Sequence, residues 1–201
     1  MGVKKTGLLG GSFDPVHLAH VALAEAALSQ LGLDTVQLLP AGQPWQRSAL
    51  NATNAQRLAM LELAIAHHPK LRINTTEIDR GGPTYTIDTV LALPEDARHY
   101  WIVGADQLQN FCTWQRWEDI VERVTLVAAQ RPGSTLRAPD ALTQRLRALN
   151  RPILPLAFQP MRISATDIRQ RLADGRPTDG LLDGAVARYI RDNALYHPPA
   201  V

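Results

Sequence analysis

Short apolar runs recur along this chain with helix-length segments between them, and no other feature narrows the fold as far. Gly7–Leu9, Val36–Leu39, Leu71–Asn74, Tyr100–Val103, Leu126–Ala128 and Ile153–Leu156 read as buried strands. Ala19–Leu31, Ala55–His67, Thr86–Leu93, Trp117–Arg123 and Pro139–Leu149 read as the helices between them. Two more helices, Ala165–Ala173 and Ala185–Asn193, follow the last strand. In the second helix Leu58, Leu61, Ala64 and Ile65 fall on one face at helical spacing. Apolar strands separated by helices predict βαβ units, because parallel strands need a long crossover and a sheet covered on both sides lacks polar alternation. The expectation is an α/β fold with a doubly wound, mostly parallel sheet. At 201 residues the chain suits one such domain, 1–201, which buries roughly 70% of its unfolded surface without crosslinks. Gln130–Pro139 is the one stretch with linker-like composition.

Several classes are excluded early. Cys112 is the single cysteine, so there is no internal disulfide framework and no Cys-rich zinc module. The apolar stretches at Val21–Leu28 and Leu61–Ala66 are too short to span a bilayer. Lys4 and Lys5 precede only a brief apolar run before Gly10, so no secretory signal is expected. Met1–Thr6 fits a loose myristoylation pattern but reads better as the lead-in to a strand. Lysines and arginines number 21 against 19 acidic residues, with no concentrated basic block, so no nucleic-acid partner is expected. A cytoplasmic protein with no membrane partner is the expectation.

In doubly wound sheets ligands sit beyond the carboxyl ends of the strands, and the residues there are chemically unusual. The first strand runs into Gly10-Gly11-Ser12-Phe13-Asp14-Pro15-Val16-His17-Leu18-Ala19-His20. There is no Gly-Lys-[Ser/Thr] ending and no Gly-x-Gly-x-x-Gly. Adjacent glycines let the backbone approach a ligand with its amides exposed to an anion. His17 and His20 share a face at the first helical turn, where amides and dipole favour phosphate. A metal pair is the competing reading, but it needs a third ligand that no His/Cys cluster supplies. His67-His68-Pro69 reads as an exposed helix end.

This loop resembles the nucleotidyltransferase superfamily with the [His/Thr]-x-Gly-His signature, with Ala19 standing at the family's glycine. Farther on, Ile163-Ser164-Ala165-Thr166-Asp167-Ile168-Arg169 places Ser164 as an N-cap, Asp167 in a near capping box and Arg169 one turn inside. It resembles the superfamily's Ile-Ser-[Ser/Ala]-Thr-x-Ile-Arg motif, which contacts the ATP phosphates. Four internal features narrow the resemblance: Gly82-Pro83-Thr84-Tyr85-Thr86, with Thr84 as a helix cap; Gly104-Ala105-Asp106; Trp114 and Trp117; and Pro44-Trp45-Gln46-Arg47. Together these resemble the bacterial nicotinate mononucleotide adenylyltransferases over nearly the whole chain, though Gln46 replaces a histidine and Arg47 a lysine.

That resemblance implies a Rossmann-like nucleotidyltransferase fold and adenylyl transfer from ATP to nicotinate mononucleotide. It implies an ATP site of Gly10, Gly11, Ser12, Phe13, Gly104, Asp106, Ser164, Thr166 and Arg169, completed by the helices within 165–195. It implies a mononucleotide site of Arg47, Thr84, Tyr85 and Trp114, with the amides of 84 and 85 on the nicotinate carboxylate and the indole of Trp114 on the ring. His17, His20 and Arg169 would act on the phosphates, with Mg²⁺ carried by the phosphates and no protein metal site. The alternatives are a phosphopantetheine adenylyltransferase, which shares both terminal motifs but lacks the Thr-Tyr and Trp114 features, and a nucleotide-binding sensor without catalysis. Preference between nicotinate and nicotinamide, and oligomeric state, are not legible in the sequence.

Overall fold

The computed structural model describes residues 2–44, 50–130, 133, 135–159 and 161–197. Its elements run β1 (Lys4–Gly11), α1 (Leu18–Leu31), β2 (Thr35–Pro40), β3 (Gln43–Pro44), α2 (Asn54–Ile65), β4 (Leu71–Ile73), α3 (Thr76–Arg80), β5 (Pro83–Thr84) and α4 (Thr86–Leu91). They continue with β6 (Ala97–Val103), α5 (Ala105–Gln109), a 3-10 turn (Phe111–Thr113), α6 (Trp117–Arg123), β7 (Thr125–Gln130), α7 (Asp140–Ala148), β8 (Leu154–Ala157), α8 (Ala165–Ala173) and α9 (Gly184–Asp192). All six expected strands and all seven expected helices form, shifted at their ends by at most three residues. The Met1–Thr6 stretch does lead into a strand, which begins at Lys4.

Six strands make one sheet in the order β4-β2-β1-β6-β7-β8, every pairing parallel. Successive strand residues feed opposite faces, as a two-residue period requires. Leu9, Leu38, Ile102 and Val127 join α1, α2, α8 and α9 in one core, while Leu8, Leu39, Trp101, Leu126 and Ala128 join α4 to α7 in the other. Both faces are therefore covered, and the sheet is doubly wound. At the β8 edge the side-chain amide of Gln30 donates to the carbonyl of Ala157 (2.8 Å), and its oxygen accepts that residue's N–H (3.0 Å).

Three local expectations are corrected. The buried face of α2 is centred on Arg57, Met60, Leu61 and Ala64, whereas Leu58 and Ile65 are only partly covered. Thr84 does not cap α4: the N-cap is Tyr85, and the Thr84 hydroxyl instead accepts from the Gln43 amide at 3.1 Å. Asp167 turns along its own helix to Arg171 (2.8 Å), so only the Ser164 half of the capping box forms. The short pair β3–β5 and the five-residue helices α3 and α5 were not expected.

Candidate active site

Strands β1 and β6 lie side by side, and the chain leaves them toward opposite faces, α1 on one side and α5 on the other. Such a switch point leaves a crevice at the carboxyl ends of the strands. Here it is a cleft of about 550 Å³. Its walls include Gly10, Gly11, Ser12, His17 and His20 from the first loop and α1, Thr84 and Tyr85 at the end of β5, and Gly104 and Asp106 after β6. Trp114 closes another part of the wall, and Ser164, Ala165 and Thr166 arrive from the start of α8. Two stretches about 150 residues apart in sequence thus share one cavity.

His17 is the N-cap of α1 and His20 its third residue, so the helix itself brings the imidazoles together. The rings stack with centroids 3.6 Å apart and planes 16° from parallel. The His17 amide donates to His20 Nδ1 at 3.2 Å, which assigns the proton of a neutral His20 ring to Nε2. His17 is 7% exposed, and that burial pushes its pKa from 6.5 down to about 4, partly opposed by a backbone hydrogen bond.

The loop ahead of this pair is held from three directions. Arg57, wholly buried, donates to the carbonyls of Ser12 (2.7 Å) and Ala41 (2.6 Å) and to Asn54 Oδ1 (2.7 Å). Arg169 donates to the Asp14 carbonyl at 2.7 Å, and its other nitrogen lies 3.4 Å from the Thr166 hydroxyl. The Asp14 carboxylate accepts from Asn51, Ala52 and Tyr196. Arg169 therefore braces the loop and adjoins the cleft through Thr166 rather than standing in the wall. Phe13 is also outside the wall: its ring is buried in the core and meets the His20 ring edge-on at 4.9 Å. Arg47, with Trp45 and Gln46, lies outside the described residues.

Trp114 is half-buried, with Phe111 packed at 4.8 Å and a 31° tilt and Trp101 edge-on at 6.4 Å. Its indole N–H is buried without a partner. Trp117 packs against the α4–α7 core and does not line the cleft. Three features of the site escaped the sequence reading. Trp101 forms part of the floor. Glu77, 5% exposed, accepts from the buried Thr89 hydroxyl at 2.9 Å, and desolvation raises its pKa against the opposing influence of Thr89 and Arg80. Arg57 carries the third, and its signal was present: position 57 falls on the same helical face as 60, 61 and 64.

A parallel sheet in this strand order, with a glycine-led loop, a stacked histidine pair and a capped helix start across one cleft, is the Rossmann-like fold of a nucleotidyltransferase. Residues 8–171 match the cytidylyltransferase-like family. A Bordetella avium protein described as a probable nicotinate-nucleotide adenylyltransferase is 58% identical over 98% of this chain and 100% of its own length. One of the same description from Chromobacterium violaceum is 41% identical over 96% and 98%. The solved Plasmodium falciparum nicotinic acid mononucleotide adenylyltransferase complexed with NaAD superposes with a TM-score of 0.74 at 16% identity, covering 96% of this chain and 97% of that one. The chain belongs to the cytidylyltransferase-like family and, within it, to the nicotinate-nucleotide adenylyltransferases.

Proposed function

We infer that this protein transfers the adenylyl group of ATP to nicotinate mononucleotide, a step of NAD biosynthesis. A 5′-phosphate oxygen of the mononucleotide attacks the α-phosphorus, the bond to the β-phosphate bridging oxygen breaks, and pyrophosphate leaves as nicotinate adenine dinucleotide forms. The attacking oxygen is already anionic, so no general base is needed, and the protein's work is positioning and charge neutralisation. The observation that carries this reading is the single cleft walled by both His17 and His20 and the start of α8.

His17 and His20 act on the triphosphate. His20 supplies its Nε2–H, and the His17 ring stacked against it holds that imidazole in place. Ser12, the glycines, Ser164 and Thr166 hold phosphate oxygens, and Gly104 and Asp106 meet the nucleoside. Arg169 contributes by fixing Asp14 beside Thr166. Phe111 packs against Trp114, and the indole stacks the nicotinate ring in the cleft, with the backbone amides at Thr84 and Tyr85 taking its carboxylate. Arg47 meets the acceptor phosphate. The chain works as one domain whose α8 and α9 complete the ATP side, supported by Leu18 N–H on the Leu181 carbonyl (3.0 Å).

Among the described residues no three His, Cys, Asp or Glu side chains gather to cage a metal. A divalent cation, Mg²⁺ for this substrate, would be carried mainly by the nucleotide, where it would lower the charge on the phosphate oxygens. Also among those residues, no helix is long and apolar enough to cross a membrane. The test is to incubate the protein with ATP, Mg²⁺ and nicotinate or nicotinamide mononucleotide and to follow pyrophosphate. A kcat/KM favouring the nicotinate form is expected. Binding of both nucleotides without pyrophosphate release would return the protein to the sensor class.

A further inference from the structure

Asp14 lies three residues before His17 and is 2% exposed, so its carboxylate must find donors within the protein. Oδ2 accepts the Asn51 amide at 2.8 Å and the Asn51 side chain at 3.4 Å. Oδ1 accepts the Ala52 amide at 3.1 Å and the Tyr196 hydroxyl at 2.7 Å. Four donors thus converge from two places, the entrance to α2 and the stretch following α9. Arg57 and Arg169 grip neighbouring backbone carbonyls of the same loop. Among the described residues the Tyr196 hydroxyl is the one side-chain O–H bound to this carboxylate.

Resting on the adenylyl-transfer reading, we propose that Tyr196 is a positioning residue for the reaction: through the Asp14 carboxylate it locks the histidine-bearing first loop in register with Asn51–Ala52. The register matters because Thr53, next in sequence, caps α2, and α2 sends Arg57 back to Ser12 and to Ala41 at the end of β2. First loop, second strand and α2 form one interlocked body whose remaining side is closed by Tyr196. Ala194 and Tyr196 both hold left-handed backbone angles (φ 49° and 65°), a conformation that side-chain-bearing residues adopt only where contacts fix it. Burial, with the Asp14 charge adding to it, raises the Tyr196 pKa, so the phenol remains a donor. Without that hydroxyl the carboxylate loses its shortest bond and can turn, carrying the loop with it. In-line transfer is lost over displacements of an ångström, so turnover suffers more than binding.

The test is Tyr196→Phe, which deletes one oxygen and keeps the ring. Expected are a kcat lowered about tenfold or more with both KM values within about twofold, and a melting midpoint within about 3 °C of the parent. Hydrogen exchange at the amides of Asn51 and Ala52 should quicken about tenfold or more, with the β1–β6 amides unchanged. Unaltered kcat overturns the proposal, as does a loss of kcat that only follows the melting midpoint, or unaltered exchange at Asn51 and Ala52. The exchange measurement needs no substrate. A parent protein that releases no pyrophosphate therefore defeats the functional reading, while the exchange result still decides the clamp.

Discussion

Acidification should weaken this protein through His17, and the size of the effect follows from its burial. In the folded chain the imidazole is 7% exposed and titrates near pH 4, against 6.5 when unfolded. The unfolded chain thus binds the extra proton first, and stability falls as pH drops through that interval. The contribution is intact above pH 6.5. Linkage gives a loss of about 2 kcal/mol at pH 5 and about 3.4 kcal/mol below pH 4. Urea unfolding of the parent and of His17→Asn, followed by tryptophan fluorescence at pH 7.5, 6 and 5, isolates the residue. The variant starts less stable but should lose about 2 kcal/mol less than the parent across this range. Parallel curves for the two proteins would refute the assignment, because other titrating groups are common to both.

The remaining expectations concern the cleft. His20→Ala should lower kcat by about a hundredfold or more, the scale of one preorganised donor, and wild-type turnover would remove the residue from the mechanism. Trp114→Ala should raise KM for the mononucleotide far more than for ATP; equal rises would contradict ring stacking. In Gly42→Ala the new Cβ would stand 2.6 Å from the Glu77 carbonyl oxygen and 3.3 Å from the Thr84 hydroxyl. Since a backbone carbonyl cannot swing aside, the β3–β5 pair must shift, costing about 1–3 kcal/mol in denaturant and raising KM for the mononucleotide. An alanine variant as stable as the parent would show that the pair yields freely.

The sheet was legible because each strand is an apolar run between helix-length segments, a pattern that buried parallel strands produce directly. β3 and β5 were not, since two residues carry no period, and their pairing depends on a contact between positions 43 and 84. The two helix starts on the cleft, at His17 and Ser164, were legible because cap chemistry is local. What Arg169 binds was not: its partner is a backbone carbonyl 155 residues away, and carbonyls leave no mark in a sequence. Arg57 illustrates a different failure. Arginine on an amphipathic helix normally marks the wet face, but here it occupies the buried one because three oxygens surround its guanidinium. Tyr196, 182 residues from Asp14, had no local signal.

The last strand of the sheet shows how a small residue choice guards against self-association. Backbone groups of β8 alternate in direction, so Pro155 and Ala157 turn away from β7 while Leu156 turns toward it. Pro155 has no N–H to offer, and Gln30 occupies both polar groups of Ala157. An incoming chain seeking to extend the ladder along β8 meets one position without an N–H and one already bonded, which weakens this margin as a template for another strand. Crowded or partly unfolded molecules would therefore have to seek contact elsewhere than at this border, which is closed by one glutamine and one proline.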